Sequence, residues 1–109
     1  VLAEVLAAMN HAGADVLKFA CTATSATDAA RVLAAQAWAR EAYDRPIIGI
    51  AMGPAGAPTR LVGSALGSSA TFACLPGWAG SAPGQFTVEQ ARAVLDVVER
   101  AGLGARGAE

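Results

Sequence analysis

A single lysine, Lys18, stands inside the short apolar run Asp15-Val16-Leu17-Lys18-Phe19-Ala20-Cys21, which reads as a strand. Alternation puts Val16, Lys18 and Ala20 on one face and Leu17, Phe19 and Cys21 on the other. An ammonium enclosed on such a face is costly unless it is paired or opens on a cavity. One resolution is a neutral amine, because desolvation favours the uncharged form. A neutral amine is also the nucleophile that a ketone needs for imine formation. The other resolution is a lysine at a strand end whose stem runs along apolar surface to water. Position alone leaves both open.

Two further groups follow later strands. Beyond Met52, a turn-rich loop leads to Arg60 among small and apolar residues. A guanidinium suits bidentate carboxylate recognition, although a surface arginine on a helix has the same look. Beyond Leu75 comes Ser81-Ala-Pro-Gly-Gln85, where Gly84 permits close backbone approach and Ser81 and Gln85 offer neutral hydrogen bonds. A plain turn before a capped helix would read similarly. Taken together, an amine, a carboxylate anchor and hydroxyl-binding groups, each after a successive strand, describe a pocket for a polyhydroxylated keto acid.

The elements that must position these groups alternate. Val1, Leu2, Val5, Leu6 and Met9 recur at helical spacing, with Gly13 as the stop. After the lysine strand, Ser25 with Asp28 resembles a capping box opening an alanine-rich helix to about Tyr43. Ile47 to Met52 is a strand of the kind buried on both faces in parallel sheets. Thr59 to about Gly67 reads as a short helix and Ala70 to Leu75 as a third strand. Thr87 with Gln90 caps a last helix to about Arg100, stopped by Gly102. Residues 1–102 thus form one α/β unit of three strand-loop-helix repeats behind a first helix, and 103–109 are expected to be a disordered tail. Alternation of this kind favours a parallel sheet with helical crossovers at whose C-terminal strand ends ligands bind.

Composition narrows the classes. The chain has 109 residues, 54% of them apolar and many of those alanine, with a net charge of −1. Basic residues are scattered, which argues against a nucleic-acid partner. No apolar run is long enough for a membrane span, and Val1 to Met9 lacks the features of a signal peptide. Cys21 and Cys74, in separate apolar segments without CxxC spacing, read as free thiols in a reducing, cytoplasmic compartment. No GxGxxG or P-loop occurs. Trp38 and Tyr43 read as core or subunit contact on the long helix, and Trp78 as a loop aromatic, with Pro76 to Gly80 the segment expected to move on substrate closure.

Four segments, in order and with compatible spacing, resemble the type I 3-dehydroquinate dehydratases. Gly13-Ala-Asp-Val-Leu-Lys18 resembles that family's GAD-x-x-K strand. Met52, Gly56, Thr59, Arg60 and Leu61 fit its M-x-x-x-G-x-x-[ST]-R-L segment. Gly67-Ser-Ser-Ala-Thr-Phe72 resembles its G-[SG]-x-x-T-F strand entry, and residues 81–85 match its SAPGQ loop. The likeness runs from about Val1 to Arg100, and the lysine strand together with SAPGQ is a specific combination.

The resemblance implies a (β/α)8 barrel of which this chain supplies the last three strands. It implies dehydration of 3-dehydroquinate to 3-dehydroshikimate in the shikimate pathway, through an imine on Lys18. Arg60 would bind the substrate carboxylate. Ser81 and Gln85 would contact the substrate, as would Met52 and Phe72, the latter by packing near its ring or else serving as ordinary core. The imine is the electron sink, so neither cofactor nor metal is implied. A homodimer is implied for the full-length enzyme.

The sequence also departs from the pattern. The family's general acid/base is a histidine in an S-x-H-x-F-like segment one strand earlier, and its N-terminal substrate-binding glutamate and arginines also precede Val1; none of these is present. The only histidine, His11, falls in the turn before Asp15, at the far end of the barrel. The chain opens without Met in a helical run and is read as the C-terminal part of a longer enzyme. Alone, it is expected to be inactive or nearly so, with unpaired strand edges. The rival readings are a class I aldolase-like lyase using the same lysine, against which the SAPGQ loop and the missing phosphate nest argue, and a half-barrel with only a structural role.

Overall fold

The structure, a computed structural model, describes residues 2–77 and 85–101. Its order is α1 (Leu2–His11), β1 (Leu17–Thr22), α2 (Ala26–Ala42), β2 (Ile47–Met52), a 3-10 turn (Pro54–Gly56), α3 (Thr59–Val62), a second 3-10 turn (Gly63–Leu66), β3 (Ala73–Cys74), β4 (Phe86–Thr87) and α4 (Val88–Arg100). Trp78, Ser81, Gly84, the Gly102 stop and the 103–109 tail lie outside the described residues.

In α1 the inward stripe is Leu2, Leu6 and Met9, one turn apart; Val5 instead faces outward, 47% exposed. The helix stops where Gly13 takes φ +86°, a left-handed value that side-chain-bearing residues rarely adopt. His11 closes the last turn of α1 and is exposed. Arg45 then clasps this turn to the start of β2, its Nε donating to Asn10 Oδ1 (2.8 Å) and its Nη1 to the Ala14 carbonyl (2.7 Å).

At the start of α2 the Ser25 hydroxyl accepts from the Asp28 amide (3.1 Å). The reciprocal bond expected of a capping box is shifted one residue upstream. Asp28 Oδ2 accepts from the amide and hydroxyl of Thr24, at 2.9 and 2.8 Å, rather than from Ser25. The carboxylate therefore sits at a helix N-terminus with two donors, and those bonds hold its pKa below the ordinary value. Ala29, Val32, Gln36 and Ala39 make the buried stripe of α2, and its small residues let the helix lie close on β2.

β1 and β2 pair in parallel register, Leu17 opposite Ile47 through Thr22 opposite Met52. Leu17, Phe19, Ile47 and Ala51 join Leu6, Val32 and Ala39 in one core beneath α1 and α2. The other face differs from a strand buried on both sides, since Lys18, Ala20 and Thr22 are exposed. Both cysteines are free, Cys21 exposed and Cys74 half-buried.

The third strand departs most from expectation. The Ser69 amide does donate to the Ile47 carbonyl (2.7 Å), which places this segment against the second edge of β2. The Ile47 amide, however, donates to the Ser69 hydroxyl (3.1 Å) in place of a backbone carbonyl. A side chain has taken the ladder position, and regular pairing stops there. Strand geometry is regained only at Ala73–Cys74, which pairs in parallel with Phe86–Thr87, the residues ahead of α4. The Thr87–Gln90 capping box forms as expected, with reciprocal bonds of 3.0 and 3.2 Å.

Candidate functional site

Lys18 stands on the open face of β1 beside Ile48 of β2, and Met52, opposite Thr22, is half-buried at the C-terminal end of the same pair. The Lys18 Nζ lies 4.4 Å from the centroid of the Phe72 ring, a cation–π contact. Phe72, just ahead of β3, is itself 41% exposed. The structure thus brings together two of the residues singled out from the sequence, across a gap between its two small sheets. The enclosure of Lys18 that a doubly buried strand would give is absent among the described residues.

Arg60 is placed by a compact run of turns. The Thr59 hydroxyl donates to the Gly56 carbonyl, closing the 3-10 turn, and the Arg60 amide donates to the Ala57 carbonyl (3.1 Å). Gly56 is held so close that a Cβ there would collide with the carbonyl of Ala51, which explains why this loop needs glycine. Arg60 is buried, 6% exposed, and desolvation lowers its pKa, although an arginine remains charged. It lines a cavity of about 230 Å³ together with Gly49, Ile50, Thr59, Gly63, Ser64, Ser68, Ser69, Ala70, Thr71, Leu95 and Glu99. A buried guanidinium among hydroxyls is chemically suited to a carboxylate.

Lys18 and Phe72 are not among those lining residues, so the described part of the site falls into an open amine face and a separate arginine cavity. Gln85 is half-buried directly ahead of β4, and Ser81 lies outside the described residues. Sequence reading did not single out Glu99 or the Ser64, Ser68 and Thr71 hydroxyls of the cavity. Only one signal was available, the spacing of Leu95 and Glu99 by four residues, which puts them on one face of α4.

The type I 3-dehydroquinase family matches residues 2–101. The 3-dehydroquinate dehydratase of Neisseria meningitidis is 43% identical over 91 residues, covering 84% of this chain and 35% of that enzyme. The Geobacillus thermodenitrificans enzyme is 41% identical over 98 residues, 37% of its length. Among solved structures, 3-dehydroquinate dehydratase from Geobacillus kaustophilus superposes with a TM-score of 0.84 at 37% identity, over 91% of this chain and 38% of that one. A type I enzyme from Clostridium difficile, solved with covalently modified comenic acid, gives 0.78 at 33% identity, over 88% of this chain and 37% of that one. The chain therefore spans little more than a third of the relatives it matches, and its α/β fold is that of their corresponding part. The chain belongs to the type I 3-dehydroquinase family.

Proposed function

We propose that this chain is the imine-forming part of a 3-dehydroquinate dehydratase of the shikimate pathway, built as the last three strand-helix units of a (β/α)8 barrel. The carrying observation is the placement of its only lysine on the open face of a parallel strand, against an aromatic ring. The Lys18 amine adds to the C3 ketone of 3-dehydroquinate and water leaves, giving an iminium. Loss of the C2 proton sends its electron pair into the iminium, forming an enamine. The enamine expels the C1 hydroxyl, which takes up a proton and departs as water. A further water hydrolyses the conjugated iminium, releasing 3-dehydroshikimate and the free amine. Arg60 holds the substrate carboxylate, Ser81 and Gln85 its hydroxyls, and Met52 and Phe72 flank the ring. For Arg60 to reach the substrate bound at Lys18, the arginine cavity and the amine face must open onto each other.

The proton at C2 needs a positioned acid/base, and the sole histidine, His11, ends α1 on the side where β1 begins, away from the Met52 end of the strands. We therefore assign to the isolated chain adduct formation without efficient turnover. Borohydride reduction in the presence of 3-dehydroquinate, followed by peptide mapping, tests the assignment. A reduced adduct confined to Lys18, and lost in Lys18→Met, is the expected result. Folded protein that forms no adduct would refute it.

A further inference from the structure

The amine that the proposed chemistry uses meets an aromatic ring from a distant part of the chain. Lys18 is in β1 and Phe72 stands just ahead of β3, and among the described residues no strand pairing links β1 with β3. What aligns them is β2. Lys18 lies opposite Ile48 on one edge of that strand, while Ser69 is bonded to Ile47 on the other, at 2.7 and 3.1 Å. Three residues on from Ser69, the Phe72 ring meets the Lys18 Nζ at 4.4 Å from its centroid. The ring is 41% exposed and does not belong to the principal core.

We infer that Phe72 is a positioning residue for Lys18, holding the ammonium over the open face of the sheet until it gives its proton to solvent and the neutral amine adds to a ketone. A lysine side chain has four rotatable bonds, and restraining it before substrate arrives removes part of the ordering that imine formation would otherwise require. The attraction is that of a cation for the negative face of an aromatic ring, so any aromatic of similar size supplies it and an aliphatic residue does not. The inference rests on the imine chemistry proposed above, but the contact itself can be measured without substrate.

Because Lys18 is the only lysine, growth on lysine labelled with carbon-13 at Cε gives one lysine signal from the chain. The protons on that carbon should be displaced upfield by the ring in the unsubstituted chain and in Phe72→Tyr, and should return to the free-lysine position in Phe72→Leu. The rate of borohydride-trapped adduct formation at low 3-dehydroquinate should fall about two- to fivefold in Phe72→Leu and be restored in Phe72→Tyr. Neither substitution empties the core, so circular dichroism should be unchanged for both. A lysine signal at the free position in the unsubstituted chain would overturn the inference, as would Phe72→Leu trapping at the original rate. An upfield signal in a chain that traps no 3-dehydroquinate at all would instead refute the proposed function, and the positioning role with it.

Discussion

Gln36 is 1% exposed, and its Nε2 donates to two carbonyls, Gly63 at 3.0 Å and Leu66 at 3.3 Å. It thereby ties α2 to the turns that carry Arg60. Replacement by leucine would keep the bulk and strand both acceptors, so Gln36→Leu is expected to lose about 1–3 kcal/mol of stability in urea unfolding. Nothing in the sequence marks this residue, because a lone glutamine in an alanine-rich helix reads as solvated. Lys18 was legible at the same scale, since strand alternation is local and sets its face without knowledge of the rest of the fold. That Phe72 would meet it was not, because the encounter depends on how a segment 54 residues away lies along β2.

Among the elements, those whose signals are local came through best. β2 has the bounds its apolar run predicts, and both helix caps sit at the expected residues. The third strand came through only in part, as Ala73–Cys74, because a strand exists only by its partner. A serine hydroxyl intercepted the Ile47 amide, and the pairing of Ala73 with Phe86 joins a stretch that had read as a loop end. The displaced cap at Asp28 has a pH signature. Its folded-state pKa is depressed by the Thr24 bonds, so its contribution is complete above the unfolded value near 3.8 and is lost as pH falls through the lower folded value. Asp28→Ala should therefore lower the melting temperature at neutral pH, and the difference from the unsubstituted chain should close in acid below that window. A difference that persists unchanged at low pH would assign the loss to helix propensity instead of the cap.

For the molecule as a whole, the open face of β1 and the exposed Phe72 and Leu75 are surfaces that the further strands of the proposed barrel would cover. The fold class was legible from the alternation of elements. The open face was not, because burial depends on layers that a local pattern does not specify. On the proposed function, supplying the N-terminal segment of a related dehydratase should raise 3-dehydroshikimate formation about 10²- to 10⁴-fold over the chain alone, the factor a positioned acid/base supplies. Ultraviolet absorbance of the conjugated product would follow it. Co-purification of the two segments without any gain in rate would show that association alone does not complete the site.

The Arg45 clasp has a consequence for how such a molecule can change. Its bonds to Asn10 and Ala14 fasten the ends where β1 and β2 begin, while Met52 and the turns that carry Arg60 lie at the end where β2 finishes. On the proposed function, this clasp and the chemistry are thus kept at opposite poles. Substitutions in the loops beyond Met52 can alter what is bound with little penalty to the clasped pole, so the second pole is where new specificities have room to arise.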